Sequence, residues 1–466
     1  MERISEIFIK NFKCLSCFSL DLNLKDNNTS NCNINLLIGK NGAGKSTFLD
    51  ALFEIAINTN NPDKIFRHYL KNCDGDIICG NCSPVTYENI EAKNKDFLWK
   101  KVIRFYTGNS NRHTEYKNKY TEDFLSFERD KVKFVLSALF LSGAWTSDIN
   151  KEIISKFKAI LFEDNSTFEP EQVWIDIKNY NKNFFEIKNN NFIEKEMPKC
   201  TRLYLNIKDA DGYVGASFSI LNTLLKNLIE KDDTNNEENS ILDTGFLYKR
   251  LNNNCNSDSL YVDETLSDGE LGFIRRFSLI LLMSELRGED NRSLLLLDEP
   301  ETHFNENWKR HFIYLIDSAL KNTYHDVFIA THSAMLITDV KRDELYRFEC
   351  INNKIKTYPI NINTFAANVV NIGQALFDLE SDIGERSKNE IKAALKGVKE
   401  IKDKENEEEH ISIKDQKEKL NQLLKQVGPG EWRWKIRSKI NQLEKADLCC
   451  NFNPKKVENV NIAGIN

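Results

Sequence analysis

Ile34-Asn35-Leu36-Leu37-Ile38-Gly39-Lys40-Asn41-Gly42-Ala43-Gly44-Lys45-Ser46-Thr47-Phe48-Leu49-Asp50-Ala51-Leu52 decides the fold, because an apolar strand, a glycine loop and a helix follow one another without a gap. The glycines let main-chain N–H groups turn inward around phosphates, and the helix that follows points its positive end at them. Lys45 can bridge β- and γ-phosphate oxygens, and the Ser46 hydroxyl can hold Mg²⁺. A nucleotide's phosphates would then lie among Asn41, Gly42, Ala43, Gly44, Lys45, Ser46 and Thr47.

Three later motifs extend this reading. Leu266-Ser267-Asp268-Gly269-Glu270 opens an apolar stretch from Leu271 to Leu286. Ser293-Leu294-Leu295-Leu296-Leu297-Asp298-Glu299-Pro300 follows, and then Val327-Phe328-Ile329-Ala330-Thr331-His332-Ser333. The leucine run reads as a strand buried on both faces of a parallel sheet, with its carboxylate pair at the end where open α/β sheets bind ligands. Asp-Glu-Pro alone is more often a polar strand exit before a turn, but a glycine loop upstream changes its meaning. Asp298 would support the Mg²⁺ shell, Glu299 would polarise an attacking water, and His332 could reach a γ-phosphate.

At these residues the chain resembles the ABC-type ATPases of the SMC, RecF and OLD group. The resemblance implies an α/β ABC-type P-loop ATPase with a mixed β-sheet core, using ATP and Mg²⁺. It makes Leu266-Ser267-Asp268-Gly269-Glu270 the signature loop, so that Ser267, Asp268 and Gly269 would close over a nucleotide held by a second protomer in a head-to-tail dimer. It also makes Ile4-Ser5-Glu6-Ile7-Phe8-Ile9-Lys10-Asn11-Phe12-Lys13 the first strand, bringing Lys13 to the nucleotide. The catalytic set is then Glu299, His332 and Lys45.

The chain departs from that pattern in two places. No glutamine precedes Gln172, so the usual Q-loop ligand is replaced or absent; Tyr106-Thr107-Gly108-Asn109 is the candidate replacement. The loop after Glu299, Pro300-Glu301-Thr302-His303-Phe304-Asn305, is similar to that of RecF and OLD relatives rather than to transporters.

With 466 residues, 41% hydrophobic and 29% charged, the chain can build one large or two ordinary domains around a substantial core. No apolar run has the length of a membrane span, and Met1-Glu2-Arg3 leads directly into a strand, so the expected location is cytoplasmic with no membrane partner. A net charge of −6 argues against indiscriminate binding of polyanions. The eleven cysteines read as reduced residues. Cys73, Cys79 and Cys82 have the spacing of a partial zinc site, with His68 as the nearest fourth ligand.

The expected division is an ATPase N-terminal half at 1–57, an inserted, mostly helical lid at 58–258, an ATPase C-terminal half at 259–362 and a helical region for oligomer or partner contacts at 363–466. Breaks fall at Asn189-Asn190-Asn191 and Asp232-Asp233-Thr234-Asn235-Asn236-Glu237-Glu238, and heptads for a long coiled-coil arm are missing. Trp432, Ile436, Ile440 and Leu443 recur at helical spacing after Gly428-Pro429-Gly430, which suits either docking within the chain or a contact surface.

Thr364-Phe365-Ala366-Ala367-Asn368, Ser381-Asp382-Ile383-Gly384-Glu385 and Gly428-Pro429-Gly430-Glu431-Trp432-Arg433 resemble the PtuA family, the ATPase subunits of Septu and retron anti-phage systems. The ATPase of the PARIS system is a near relative. This resemblance implies a sensor or regulatory subunit of a defence complex that controls a separate nuclease, of the HNH type. The histidines at 68, 113, 303, 311, 325, 332 and 410 form no HNH cluster in sequence, and Asp74-Gly75-Asp76 reads as a turn rather than a nuclease strand end. The alternative is a RecF-like repair ATPase that binds DNA directly, which salt-dependent binding to gapped duplex would reveal.

Overall fold

The computed structural model describes residues 4–22, 32–58, 65–86, 88–94, 99–107, 124–128, 131–148, 150–161, 167–180, 192–207, 216–226, 240–251, 259–286, 291–379, 383–396 and 407–451. They fall into two compact units, Met1–Asp378 and Leu379–Asn466. The first begins with β1 (Ile4–Phe12), β2 (Leu15–Asp21), β3 (Asn33–Ile38), α1 (Lys45–Ile57), β4 (His68–Asn72), β5 (Ile77–Cys82) and β6 (Asn89–Asn94). It continues with β7 (Lys101–Tyr106), β8 (Phe124–Glu128), α2 (Val132–Leu141), α3 (Lys151–Leu161), β9 (Thr167–Lys178), β10 (Phe192–Glu196), β11 (Thr201–Asn206), α4 (Ala216–Lys226) and β12 (Ser240–Leu251). The last part contains β13 (Tyr261–Val262), α5 (Asp268–Ser284), β14 (Ser293–Asp298), α6 (Glu306–Leu320), β15 (Asp326–Ala330), α7 (Ala334–Ile337), β16 (Leu345–Ile351), β17 (Lys354–Tyr358) and α8 (Val369–Leu376).

A seven-stranded sheet, ordered β17-β16-β3-β15-β14-β7-β8, forms the centre. It is parallel from β16 to β8, and β17 runs antiparallel at its edge. Strand β14 shows why the leucine run belongs inside. Leu294 and Leu296 pack with Phe48, Leu49 and Leu52 of α1 on one face, while Leu295 and Leu297 join α5 and α6 in the core on the other. All four are essentially inaccessible to water, each contributing about 1.5–3 kcal/mol by burial. At the opposite ends of these strands, buried Asp326 accepts from Arg292 at 2.8 Å, Trp99 at 2.8 Å and Asn33 at 3.0 Å, which ties β3, β14 and β15 in register.

Two antiparallel sheets complete the first unit, β2-β1-β4-β5-β6 and β10-β11-β9-β12-β13. They correct the expected domain map. Among its described residues the stretch 58–258 is neither a separate insertion nor mostly helical: β4 to β6 extend the sheet begun by β1 and β2, and β7 and β8 lie in the central sheet. Only α2, α3 and α4 with strands β9 to β12 resemble an added layer, and α2 packs on α5 while α3 packs on α6. The expected boundary at 363 also moves, because α8 and Thr364 belong to the first unit; the Thr364 hydroxyl donates to Val340 O at 2.9 Å. The expected breaks at 189–191 and 232–238, residues 381–382 of the 381–385 stretch, and Gly108-Asn109 lie outside the described residues.

Between α4 and α5 lies a polar chain inside this core. Ser217 donates to Glu285 Oε1 at 2.9 Å, and Ser142 and Ser217 share a 2.6 Å hydrogen bond. Burial pushes the Glu285 carboxyl up to about 7, offset only in part by Ser217. A carboxyl raised in the folded state binds a proton more tightly there than in the unfolded chain. Stability from this group is therefore greatest at low pH and falls as pH climbs from about 4.5 to about 7, by of the order of 3 kcal/mol. Glu285→Gln is expected to melt above the unsubstituted protein at pH 8 and beside it at pH 5; equal gaps at both pH values would refute the assignment.

The second unit contains α9 (Glu385–Lys396), α10 (Glu407–Gln426) and α11 (Glu431–Asn451). Ile391, Leu420, Ile436, Ile440 and Leu443 form its core, with Trp432 partly buried against it. Arg433 donates to the carbonyls of Leu424 and Val427, satisfying main-chain groups that the end of α10 leaves open. The apolar seam of α11 thus faces its own unit, and Trp434 is the aromatic left 68% exposed.

Candidate functional site

Three loops meet at the carboxyl ends of β3, β14 and β15. The first joins β3 to α1. Gly39 is required there, since at φ 146° a Cβ would lie 2.3 Å from Phe348 O of the neighbouring strand. Gly44, at φ 93°, would place a Cβ 2.0 Å from Ile355. Helix α1 then starts with no capping side chain and no acidic residue in its first turn, so its free N–H groups and positive end are open to an anion. Asn41 and Gly42 are exposed, whereas Ala43, Lys45 and Thr47 are buried.

The second loop follows β14. Glu299 adopts the left-handed conformation at φ 48°, and its N–H donates to Ala330 O at 2.8 Å, joining it to the end of β15. The third loop carries Thr331 and His332, and the Thr331 N–H donates to Leu37 O at 3.0 Å. The side chains converge accordingly. Lys45 Nζ donates to Gly39 O at 2.8 Å and Lys40 O at 3.2 Å, and lies 2.7 Å from His332 Nε2. His332 Nε2 is in turn 3.5 Å from Glu299 Oε1.

Electrostatics follow from this crowding. Burial pulls Lys45 down to about 8, although Glu299, Asp298 and Glu301 all oppose the shift. Burial, then the Lys45 charge, lower His332 against the pull of Glu299. A neutral imidazole can accept the Lys45 proton at Nε2, which leaves Nδ1 as its N–H. Asp298 is raised to about 6, first by burial; Ser46 donates to it and lowers it, and Glu299 raises it further. Ser46 and Asp298, the two residues expected to hold a divalent cation, are therefore hydrogen-bonded neighbours. A hydroxyl and a desolvated carboxylate suit Mg²⁺, and the open helix terminus suits phosphate, so the residues fit both groups.

The remaining expected site residues are placed differently. Lys13 stands in the β1–β2 turn with Nζ 3.1 Å from Asp50 Oδ2, beside the first turns of α1 rather than on the glycine loop. Ser267 and Asp268 are exposed, and Ser267 caps α5 in a reciprocal box with Glu270. Gly269 packs closely, since a Cβ would meet His303 O and Trp308 at 3.1 Å. From the candidate Q-loop replacement, Thr107 donates to Asp298 O at 3.2 Å.

Sequence reasoning missed two groups here. Arg104, wholly buried in β7, pairs with buried Asp50 of α1; its signal was an arginine inside the apolar run Val102-Ile103-Arg104-Phe105. In the sequence Glu301 is one polar residue of a loop, yet it is 6% exposed and accepts from the Thr331 hydroxyl. At the possible zinc site, Cys79 and His68 are buried 3.9 Å apart, a dry setting that holds the thiol up at about 12 and the imidazole down at about 4. Among the described residues no group of three or more metal-ligating side chains forms.

Residues 34–339 match the family described as "AAA domain, putative AbiEii toxin, Type IV TA system". The chain belongs to this family. The match starts in β3, ends after α7 and so spans all three loops of the site. The family makes this a P-loop ATPase domain, and nucleotide binding goes with it. Uncharacterized protein 467R of Invertebrate iridescent virus 6 is 28% identical over 226 residues, covering 44% of this chain and 44% of the viral protein. The chain thus spans less than half the length of that curated relative. Among solved structures, the SMC head domain from Thermotoga maritima has a TM-score of 0.34 at 10% identity, covering 77% of this chain and all of that one. The ADP form of MJ1267, an ATP-binding cassette of an ABC transporter, has a TM-score of 0.31 at 14% identity, covering 82% and 96%. No helix among the described residues is long and apolar enough to cross a membrane.

Proposed function

We propose that this chain hydrolyses ATP with Mg²⁺ as the regulatory subunit of an anti-phage defence complex whose separate nuclease does the cutting. The observation that carries the reading is the convergence of Lys45, His332 and Glu299 at the open terminus of α1. In this proposal the N–H groups of Gly42 to Thr47 and the Lys45 ammonium hold the phosphates. Ser46 and Asp298 hold the cation, which would screen phosphate charge when bound. Glu299, whose side chain is 43% exposed beside the site, orients and polarises water, and His332 keeps its imidazole neutral and in reach. The toxin in the family description supports a role in biological conflict. A cytoplasmic location, a PtuA-like or PARIS-like system and an HNH-type partner belong to the same proposal.

The catalytic unit would be a head-to-tail dimer in which Ser267, Asp268 and Gly269 of one protomer complete the site of the other. Exposure of Ser267 and Asp268 at the start of α5 supports this, because a second chain can reach them there, with Ser267 held in place by its capping box with Glu270. Mixing Lys45→Ala with Ser267→Arg protein is expected to restore turnover, at about one working site per heterodimer. No recovery with exchanging dimers would defeat the composite site. For the biological role, the proposal requires a nuclease gene beside this one; co-expression of the two should protect cells from phage, and Glu299→Gln should abolish that protection. Full protection by this chain alone would refute the partner.

A further inference from the structure

We infer that Glu301 is a positioning residue for the hydrolysis proposed above, holding the His332 loop in its working place against the Glu299 loop. The inference rests on the ATPase reading. Glu301 stands two residues beyond Glu299, but its side chain turns into the protein while that of Glu299 faces the site. A buried carboxyl is costly unless it is hydrogen-bonded, so its contacts indicate what it is for. Its Oε1 accepts from the Thr331 hydroxyl, and the main-chain N–H of His332 lies beside the same carboxylate. The Thr331 oxygen in turn accepts from the Ser333 N–H at 2.9 Å.

One buried carboxyl from the neighbouring loop thus holds Thr331 and flanks the His332 backbone, and Ser333 is tied in through the Thr331 hydroxyl. Main-chain hydrogen bonds fix both margins of this arrangement, Glu299 N to Ala330 O at 2.8 Å and Thr331 N to Leu37 O at 3.0 Å. The Thr302 hydroxyl adds a bond to Glu299 O at 2.9 Å. These bonds set where the His332 ring can stand, 2.7 Å from Lys45 Nζ and 3.5 Å from Glu299 Oε1. Glu301 itself meets neither imidazole nor ammonium in this network. Its charge helps to hold Lys45 up from a distance, but its positioning effect passes through Thr331 and the His332 backbone, and Glu301→Gln separates the two.

The test is steady-state ATP hydrolysis, titration with a fluorescent non-hydrolysable ATP analogue and thermal melting, all on the full chain. Glu301→Ala should lower kcat by roughly tenfold to a hundredfold, the scale expected for a displacement of about 1 Å, with analogue affinity unchanged. Glu301→Gln keeps an acceptor for Thr331 and should recover most of the rate. Thr331→Val should fall by the same factor as Glu301→Ala, Thr331→Ser should not, and the double variant should be no slower than either single one. If Glu301→Ala does not fold, the Thr331 pair decides alone. Unchanged kcat in Thr331→Val, loss of affinity in step with kcat, or a Gln variant as slow as Ala would overturn the inference. Absence of turnover in the unsubstituted chain would overturn the ATPase reading as well, which separates the two failures.

Discussion

Glu299→Gln is expected to bind ATP as well as the unsubstituted chain and to hydrolyse it about 10²–10⁴-fold more slowly, the range that general-base catalysis supplies. Glu299 is not among the groups around the glycine loop that would hold phosphate; it stands at the margin of the site, 3.5 Å from His332. The amide keeps the size of the carboxylate but loses its basicity. It also removes a negative charge that would repel phosphate. Because that same charge holds Lys45 up, the comparison belongs well below pH 8, where the amine stays protonated and phosphate binding should survive. Single-turnover hydrolysis alongside calorimetric titration with the substrate would check this. Equal loss of affinity and rate would mean that Glu299 holds the nucleotide and is not its base.

Lys45→Ala is expected to cost about 2–3 kcal/mol of nucleotide binding, roughly a 30- to 150-fold weaker Kd, because charge-assisted hydrogen bonds to phosphate disappear. A pH profile should accompany it. Lys45 titrates near 8 in the free protein, so above that pH binding must also return a proton to the amine. Affinity of the unsubstituted chain should hold between the Asp298 and Lys45 values, about 6 and about 8, and weaken as pH rises past 8. In Lys45→Ala that decline should vanish. A profile that stays parallel in both proteins would assign the titration to another group.

The glycine loop, the carboxylate pair and the histidine were legible because each sits at a boundary that local chemistry marks. Apolar residues run to Ile38, Leu297 and Ala330, and a polar functional group follows each run. Strands that end on one edge of a parallel sheet bring such groups together, as the Lys45–His332 contact shows. Glu301 carried no comparable mark. A glutamate in a loop reads as solvated, and only the fold turns it inward against Thr331.

By itself, then, the sequence determined that residues 34–52 form a strand, a glycine loop and a helix, since glycine conformations and apolar runs are local properties. It likewise determined that β14 is buried on both faces, because four consecutive leucines leave no polar face to expose. Tertiary structure alone decided which sheet each strand of 58–258 would join, since the hydrogen bonds of an edge strand can be met by any neighbour of suitable register. It also decided the pairing of Arg104 with Asp50 and the inward turn of Glu301: buried charges acquire partners only when distant segments meet, and sequence spacing contains no trace of that meeting.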